Sequence, residues 1–359
     1  MLNLKIFTSK VVDYFKKKGW QETVTDDFCY LTKNYSPENI LCRNKFCVVE
    51  DKWVYEKITD FFSEHNFQSF FPRSLINKNK DTDFIIAGLQ LVNNYLSFNS
   101  YKKNSLFTLH PVIRSNIQEE DVLNRKLSSF VNLALIDVNT SIEEYLQHTD
   151  LFISLLSRLS LHSSELKIVI KPVKDSVRQF NKLLYKNGMK LQFVLSDVVV
   201  GVANLYQVEC QENILVSDFG FGYENLLWCL NGKNNFFLPI YPKYEILFGD
   251  PFVNNQIRTI VLLVMSGVLP SSSGIGSKIR KLFNGIKNLK DNYDYTEIIN
   301  YSYNYYSKFI QSTFSLEFVK NIVFQEIRRA RLHKLYPNLK INNENIENLY
   351  LNRIMEGKK

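Results

Sequence analysis

Hydrophobic residues recur at helical spacing in two segments near the start of the chain. The first runs from Ser9 to Lys18 and is followed by Gly19, a residue type that commonly ends a helix. The second begins near Trp53, and from Ile58 onward its apolar residues stand three and four positions apart. The pattern therefore predicts two amphipathic helices in this part of the chain.

The middle of the chain carries mainly the pattern of β-strands. Short extended runs occupy residues 70–113, and longer apolar strand candidates begin at Ser129, Leu166, Phe193 and Asn204. Ser141 and Glu144 have the spacing of a capping box, which predicts a helix between two of these strands. After about Pro251 the apolar spacing is almost wholly helical. We therefore predict an α+β half followed by an all-α half.

This change of pattern sets the predicted domain boundaries. Residues 53–250 form the α+β domain and residues 251–359 form the helical domain, while residues 1–52 are an N-terminal extension of unassigned role. A chain of 359 residues is long enough to build more than one hydrophobic core.

Composition and charge exclude some classes of protein. No apolar run reaches the roughly 18 to 20 residues that span a bilayer, and the start lacks the pattern of a secretory signal. The five cysteines are odd in number and scattered, which fits a reducing compartment and buried thiols better than a zinc site. We therefore expect a cytoplasmic protein without zinc and without a membrane partner. The net charge of +8 favours anionic partners such as RNA, although a solvated lysine-rich surface gives the same composition.

One segment of the α+β half has the composition of a ligand site. In SDFGFGYENL, which starts at Ser217, Gly220 and Gly222 leave the backbone bare on one face of a strand or of a strand–helix junction, where a planar base or a phosphate can approach closely. Asp218 and Glu224 place carboxylates near that face. A glycine bulge where a helix packs on a sheet produces the same pattern, so the segment alone leaves both interpretations open.

The stretch from Gln256 to Leu282, QIRTIVLLVMSGVLPSSSGIGSKIRKL, closely resembles the helix–loop–helix that follows the active site of alanyl-tRNA synthetases. Ile-Arg-Thr, Gly-Val-Leu-Pro-Ser, a Gly-x-Gly turn and a basic helix occur in the order found in that family. Earlier segments then match in order: DFIIAGLQLV resembles an Ala-Gly-Met strand, LHPVIRSN and SSFVNLALI resemble the two strands of motif 2, and SDFGFGYEN resembles motif 3. The resemblance covers about residues 57–286 and implies a class II aminoacyl-tRNA synthetase catalytic domain with an antiparallel sheet, followed by an all-α domain.

The resemblance implies roles for residues that would contact the amino acid. Arg114 matches the motif 2 arginine that binds the ATP α-phosphate and the amino-acid carboxylate, and it is the candidate catalytic residue. Asp218 matches the aspartate that receives the substrate ammonium, and Asn204 and Gly220 match residues that orient a small amino acid. Activation with ATP and Mg²⁺ would proceed by positioning and charge stabilisation, with no metal held by protein side chains.

The resemblance also implies ATP and tRNA contacts. Arg114, Phe130, Gly222 and Glu224 are the candidate ATP-binding residues, with Phe130 supporting the adenine. In the family the helical half binds the tRNA acceptor stem, and the corresponding basic residues are Lys278, Arg280, Lys281, Arg328, Arg329 and Arg331. A solvated amphipathic helix is the alternative interpretation of this basic face.

The chain departs from the family pattern on the ATP side. The arginine that should end motif 3 and bind the γ-phosphate is Asn225, and the motif 2 loop, which is basic in the family, is the acidic NIQEED at 116–121. Asn132 and Ser266 replace a family glutamate and aspartate, and the five histidines include no pair of the kind that the editing domain needs. The residues that depart from the family pattern are those that would bind ATP, whereas the residues that would bind the amino acid match it.

Three functions are consistent with this pattern. We expect an enzyme that binds a small, alanine-like amino acid and activates it with ATP as an aminoacyl-adenylate, for transfer to tRNA, a carrier protein or a small molecule. The alternatives are a degenerate paralogue that binds an amino acid, an adenylate or RNA as a regulatory partner, and an aminoacyl transferase that uses a preformed adenylate or aminoacyl-tRNA. Because alanyl-tRNA synthetase catalytic fragments are commonly monomeric, the resemblance implies a monomer.

Overall fold

The computed structural model describes residues 3–25, 29–36, 49–69, 75–76, 83–86, 88–92, 104–114, 117–124, 126–172, 178–180, 183–195, 198–208, 211–231, 250–285 and 295–335. Over these residues the fold is α+β with a large, mainly antiparallel sheet, as the sequence predicts. The strands are β1 (Gln21–Val24), β2 (Cys29–Thr32), β3 (Gln68–Ser69), β4 (Asn104–Ile113), β5 (Ser129–Thr140), β6 (Leu166–Pro172), β7 (Arg178–Phe180), β8 (Leu183–Leu195), β9 (Val198–Val208) and β10 (Gln211–Gly222). The helices are α1 (Leu4–Lys16), α2 (Asp51–Glu64), α3 (Gly88–Val92), α4 (Glu119–Leu123), α5 (Ile142–Arg158), α6 (Tyr223–Asn231), α7 (Pro251–Met265), α8 (Gly276–Gly285), α9 (Thr296–Tyr306) and α10 (Leu316–Leu335).

Two compact units can be distinguished. The first comprises residues 1–72, 77–112 and 130–243, and the second comprises residues 73–76, 113–129 and 244–359. The first unit contains the sheet, in which the described strands follow the order β1-β2-β6-β8-β9-β10-β5-β4-β3, with β7 paired to β8. Residues 21–24 and 29–32, which lie in the predicted N-terminal extension, thus belong to the sheet. The domain boundaries at 52/53 and 250/251 stay predictions.

Helices α2 and α5 pack on one face of the sheet, which we call the back face and which carries Phe219 and Phe221 of β10. Phe152 of α5 stacks on both rings, with centroid distances of 5.1 and 4.6 Å. Phe62 of α2 stacks on Phe107 of β4 at 4.2 Å. Burial of an aromatic ring contributes roughly 1.5 to 3 kcal/mol, so these contacts hold α2 and α5 against the sheet.

The capping box at the start of α5 is confirmed. Ser141 Oγ accepts a hydrogen bond from Glu144 N at 3.1 Å, and the Glu144 carboxylate accepts one from Ser141 N at 3.0 Å. These two bonds satisfy backbone donors that a helix start otherwise leaves without a partner, which explains why the helix begins at this point.

Two strand predictions were wrong. The apolar run Phe193–Val202 is not one strand: β8 ends at Leu195, β9 begins at Val198, and these two residues pair antiparallel. The run hides a hairpin because both strands are apolar where they meet, while the turn-favouring pair Ser196–Asp197 separates them. The segment that resembles an Ala-Gly-Met strand contains α3 at Gly88–Val92 instead.

The second unit is built around α7, whose residues from Val253 to Met265 are all buried. The guanidinium of Arg258 lies over the rings of Tyr305 and Tyr306, at 4.8 and 4.9 Å from the ring centroids. The helical pattern predicted after Pro251 is confirmed over the residues described there. The polar tail after Pro337 lies outside the described residues.

The loop after α7 follows its sequence prediction closely. Gly267 has φ +90° and donates its N–H to Val264 O at 2.9 Å, which ends the helix in a left-handed cap. A Cβ on Gly276 would lie 2.1 Å from Leu269 O and 2.4 Å from Ser271 Oγ. A glycine at position 276 is therefore required by the close approach of the loop backbone to the start of α8.

Candidate functional site

The side of the sheet opposite to α2 and α5, which we call the front face, carries the residues that are predicted to bind the amino acid. Residues of a strand alternate between faces, so Asp218, Gly220 and Gly222 of β10 point to the same side. On β9, Asn204 pairs with Asp218. On β5, Asn132 pairs with Gly222. The structure thus brings Asn204, Asp218 and Gly220 together on two neighbouring strands, in register.

The pairing of β10 decides between the two interpretations of its glycines. The register with β5 runs without interruption from Val216 to Gly222, and its irregularity lies earlier, between Leu215 and Val216. Gly220 and Gly222 are therefore regular ladder residues and not a bulge. A Cβ on Gly220 would lie 3.2 Å from Asn132 Oδ1, so a larger residue would press on the asparagine amide.

Asp218 is enclosed by its own neighbours. Its side chain is buried, and Asn204 Nδ2 donates to its main-chain oxygen at 3.4 Å. Helix α3 covers it, because a Cβ on Gly88 would lie 3.1 Å from Asp218 Oδ1 and 2.9 Å from Ile136 Cδ1. The sequence analysis did not single out Gly88, although a glycine next to apolar residues is the signal that marks such close packing.

The front face changes from apolar to polar along the strands. At one end Leu89, Leu106, Ile136, Val138, Tyr206 and Val216 belong to one buried cluster. Towards the other end the half-buried residues Gln192, Asn204 and Gly220 follow. A face that is closed by apolar packing on one side and half-open and polar on the other is suited to a small polar ligand.

Directly behind Asp218, the back face carries a buried polar cluster. Asp137 Oδ2 accepts a hydrogen bond from Ser217 Oγ at 2.6 Å and lies 2.8 Å from His148 Nδ1. Tyr145 OH donates to Ala203 O at 2.7 Å. Sequence reasoning missed this cluster because its members come from separate strands and a helix and match no motif.

Glu224 and its neighbours in α6 are engaged inside the fold. The Glu224 carboxylate accepts the backbone N–H of Val131 at 2.9 and 3.2 Å and is almost fully buried. Tyr223 OH donates to Asp51 Oδ1 at 2.7 Å, and burial raises the pKa of Tyr223. Phe130, next to Val131, is half-buried. That Phe130, Gly222 and Glu224 contact ATP stays a prediction. The hydrogen bonds of Glu224 show that it stabilises the backbone at Val131.

Asn225 occupies the place where the resemblance implies an arginine. It is half-buried, and its Nδ2 donates to Val199 O at 3.4 Å. A Cβ on Gly222 would lie 3.2 Å from the same amide nitrogen. Asn225 thus packs beside Gly222 and is hydrogen-bonded to β9.

Arg114 lies in the second unit, just after β4, and its surface is exposed. Its surroundings nonetheless desolvate the guanidinium, which lowers the pKa of Arg114. Arg114 N donates to Ser128 O at 2.8 Å. Asn255 of α7 makes two hydrogen bonds with Ser128. Its Oδ1 accepts the Ser128 N–H at 2.9 Å, and its Nδ2 donates to Ser128 Oγ at 2.7 Å.

A second set of bonds holds the adjacent residue. Arg258 Nη1 donates to Ser129 O at 3.0 Å, and Ser129 Oγ bonds with Thr259 Oγ1 at 2.9 Å and with Tyr306 OH at 2.8 Å. Ser129, which belongs to the second unit, is thus held by α7 and α9. The resemblance marked Arg258 and Thr259, but the sequence offered no reason for their presence. The structure shows that their task in this unit is to hold Ser129.

The predicted RNA-binding residues lie on α8 and α10 with different exposures. Lys281 is exposed, Lys278, Arg280, Arg328 and Arg329 are half-buried, and Arg331 is buried with its guanidinium 5.9 Å from the Tyr295 ring centroid. Arg280 Nε lies 3.7 Å from Glu326 Oε2, and both residues line a cavity of about 60 Å³ with Arg329 and His333. Burial raises the pKa of Glu326 and lowers that of Arg329.

Two kinds of feature are absent from the residues that the structure describes. Among them, no group of three or more histidine, cysteine, aspartate and glutamate side chains has the arrangement of a metal site. No helix that the structure describes is long and apolar enough to cross a membrane.

Comparison with known proteins places the chain near solved synthetase structures at low similarity. No protein-family profile and no curated protein match the chain. Two solved structures of pyrrolysyl-tRNA synthetase from Desulfitobacterium hafniense are each 15% identical to it and cover 52% of it, with a TM-score of 0.39. The match spans 71% of one synthetase chain and 70% of the other. At this similarity no residue role is transferred from them.

Proposed function

We propose that this protein binds a small amino acid through Asp218 and activates it with ATP and Mg²⁺ as an aminoacyl-adenylate, in the manner of a class II aminoacyl-tRNA synthetase. The observation that carries the proposal is the pairing of Asp218 with Asn204 on the half-open front face, next to Gly220 in unbroken register. A carboxylate in this setting would bind the substrate ammonium with a charge-assisted bond of roughly 1.5 to 3 kcal/mol.

Each residue has a defined task in this proposal. Asp218 receives the ammonium, Asn204 holds the Asp218 backbone, and Gly220 keeps the floor open beside Asn132. Arg114 is proposed, from the motif 2 resemblance, to bind the α-phosphate of ATP, since a guanidinium offers two parallel donors to a phosphate. Arginine and lysine residues of α8 and α10 would bind the acceptor, either tRNA or a carrier protein.

ATP–pyrophosphate exchange with each of the twenty amino acids tests the enzyme directly. Exchange that depends on one small amino acid and is lost in Asp218→Asn supports the proposal. Asp150→Asn is the matched control, because it removes the carboxylate of an ion pair with Lys18 that has no proposed part in binding. It should leave exchange unchanged. Absence of exchange with every amino acid would exclude the activation step.

A second function is favoured by one specific observation, namely that Asn225 is fitted against β9 where a γ-phosphate arginine would be expected. In addition, Asp121 of the acidic segment is engaged with Gln118 N at 3.1 Å and Lys126 Nζ at 2.7 Å, so that segment forms its own small structure. These features suit a protein that binds an amino acid or a preformed adenylate without using ATP, as a regulatory partner or an aminoacyl transferase.

Calorimetric titration separates these functions. An activating enzyme binds both ATP and a non-hydrolysable alanyl-adenylate analogue, whereas an adenylate-binding paralogue or transferase binds only the analogue. Asn225→Arg extends the test, because a gain in ATP affinity would show that the asparagine is what limits triphosphate binding. Transfer of an acyl group from a labelled adenylate to RNA then distinguishes a transferase from a regulatory partner.

A further inference from the structure

Helices α8 and α10 enclose a small cavity whose walls are mostly polar. The residues that line it stand three or four positions apart on each helix, so one face of α8 meets one face of α10 across the cavity. Both helices belong to the second unit, and the cavity therefore lies within that unit. The lining residues are Arg280 and Phe283 on α8, and Glu326, Arg329, Ala330 and His333 on α10.

The cavity has the size of a small polyatomic ion. Its volume is about 60 Å³. Because one water molecule needs roughly 10 to 15 Å³ of such space, the cavity holds about four to six non-hydrogen atoms, which is the size of one phosphate group. Glu326 and Phe283 are 4% and 2% exposed, whereas His333 is exposed. The cavity thus has a buried end and a solvent-facing end, and an ion can enter past His333.

The charges on the cavity wall favour an anion. Arg280 and Arg329 contribute two guanidinium groups, against the single carboxylate of Glu326, so the wall is positive in sum. Within the part of the chain that the structure describes, Arg280 Nε is buried and has no hydrogen-bond partner. Its ion-pair neighbour Glu326 Oε2 is 3.7 Å away, which is too far for a hydrogen bond. An oxyanion in the cavity would accept this buried donor in a charge-assisted bond.

Glu326 restricts which oxyanion fits. A carboxylate repels a bound anion unless a proton lies between the two groups. Burial raises the pKa of Glu326, although the two neighbouring guanidinium groups oppose this change, so the carboxyl group takes up a proton more readily than an exposed one. A phosphate monoester takes up its second proton near pH 6. Sulfate and the diester phosphates of an RNA backbone have no proton to share at neutral pH.

We propose that this cavity binds a phosphate group that can carry a proton, either inorganic phosphate or the terminal monoester of a larger ligand. Arg280 and Arg329 donate to its oxygens, and Glu326 shares a proton with it. In an RNA only a terminal phosphate has this chemistry, so the cavity is not a contact for the sugar–phosphate backbone. Phosphate binding here is independent of amino-acid activation at Asp218, and each can fail without the other.

Calorimetric titration of the full chain with inorganic phosphate and with sulfate, at neutral pH, tests the role of Glu326. The wild-type protein should bind phosphate at least tenfold more tightly than sulfate, because only phosphate brings a proton for the carboxylate. Glu326→Gln should reduce this ratio to about threefold or less, since an amide donates equally well to both anions. Equal affinity of the wild-type protein for the two anions, or no binding of phosphate, would overturn the proposal.

Two variants of the cationic wall and one matched control test the arginines. Arg280→Met and Arg329→Met each remove a guanidinium and keep an apolar stem, and each should weaken phosphate binding at least tenfold. Lys320→Met is the control, because the Lys320 side chain is 21% exposed against 20% for Arg280 and pairs with Glu317 at 3.9 Å outside the cavity. It removes the same charge and should change phosphate affinity by less than about twofold. Equal weakening in all three variants would show that net charge binds phosphate, and would exclude the cavity.

Competition with two RNA hairpins of the same sequence distinguishes the sources of the phosphate group. One hairpin ends in a 5′-phosphate and the other in a 5′-hydroxyl. Displacement of inorganic phosphate by the 5′-phosphorylated hairpin alone would identify an RNA end as the ligand, and displacement by neither would identify free phosphate or a small monoester. Both outcomes agree with the proposal. Equal displacement by the two hairpins would show that the cavity accepts a backbone diester, which would overturn it.

Discussion

Ser217 Oγ donates a hydrogen bond of 2.6 Å to Asp137 Oδ2 on the back face of the sheet. This bond lies directly behind Asp218, the residue proposed to bind the amino acid. His148 Nδ1 lies 2.8 Å from the same oxygen. The bonds join β10, β5 and α5 at the level where the front face carries Asp218 and Asn204. The candidate site is therefore supported by a buried polar cluster that itself faces away from any substrate.

Removal of the Asp137 carboxylate should destabilise the first unit. Asp137→Ala leaves the Ser217 hydroxyl and the His148 ring without their acceptor, and we expect a loss of about 2 to 4 kcal/mol in the free energy of unfolding. Urea denaturation followed by circular dichroism measures this loss. Asp150→Ala is the control, because Asp150 makes an exposed ion pair with Lys18 at 2.7 Å and such pairs contribute less than about 1 kcal/mol. Equal losses in the two variants would contradict the assigned role.

Glu224 should behave as a structural residue. Glu224→Ala removes the acceptor of the Val131 N–H and should cost about 1.5 to 3 kcal/mol in the free energy of unfolding. Glu224→Gln keeps one oxygen acceptor and should cost less than half of that amount. Thermal melts measure both values. Two variants of wild-type stability that have lost ATP binding would instead support the ATP role that the motif 3 resemblance implies.

The two glycines of the loop before α8 should differ in tolerance. Gly276→Ala brings a Cβ to 2.1 Å from Leu269 O, which is backbone and cannot yield locally. Gly274 has φ +62° and open space around it, so Gly274→Ala should cost only about 1 kcal/mol of backbone strain. We expect Gly276→Ala to destabilise the second unit by at least twice that amount, as measured by limited proteolysis and thermal unfolding. Equal resistance to proteolysis and equal melting temperatures in the two variants would show that the loop has another conformation.

Asn255 should affect the Arg114 region without contacting any substrate. Asn255→Ala removes both bonds to Ser128, whose oxygen accepts the Arg114 N–H. If activation occurs as proposed, we expect at least a tenfold lower rate of pyrophosphate exchange with little change in amino-acid affinity. Asn254→Ala, on the adjacent position of α7, is the control. Equal exchange rates in the two variants would exclude this positioning role.

His110 should make stability fall as the pH is lowered. Its pKa is about 3 in the folded protein and ordinarily about 6.5, so between these values only the unfolded chain binds the proton. The contribution of the neutral ring is fully present above pH 6.5 and decreases as the pH falls towards 3, by about 1.4 kcal/mol per pH unit. Ion-paired carboxylates such as Glu22, Glu64 and Glu143, whose pKa values are lowered, give a slope of the same sign.

The comparison with His110→Phe isolates the histidine contribution. Urea denaturation at about pH 7, 5.5 and 4.5 gives the slope of stability for the wild-type protein and for the variant. The variant should lose the histidine part of the slope and keep the part that comes from carboxylates. Identical slopes would show that the His110 ring titrates normally in the folded chain.

The sequence by itself determined the elements whose signals are local. The capping box at Ser141, the helix end at Gly267 and the turn at Gly276 depend on neighbouring residues, so periodicity and residue type predicted them. The glycine spacing from Ser217 to Gly222 indicated a strand or a strand–helix junction beside Asp218 for the same reason. The α+β class also followed from the change of apolar spacing near Pro251.

Only the tertiary structure decided which residues meet across the sheet. The pairing of Asp218 with Asn204, the cover provided by Gly88 and the burial of Thr108 and His110 depend on strand register, which has no local signal where apolar runs are continuous. For that reason the run from Phe193 concealed a hairpin, and the segment at Gly88 was taken for a strand. Hydrogen bonds between distant residues, such as Asp137 with Ser217 or Asn255 with Ser128, form only after packing has brought their elements together.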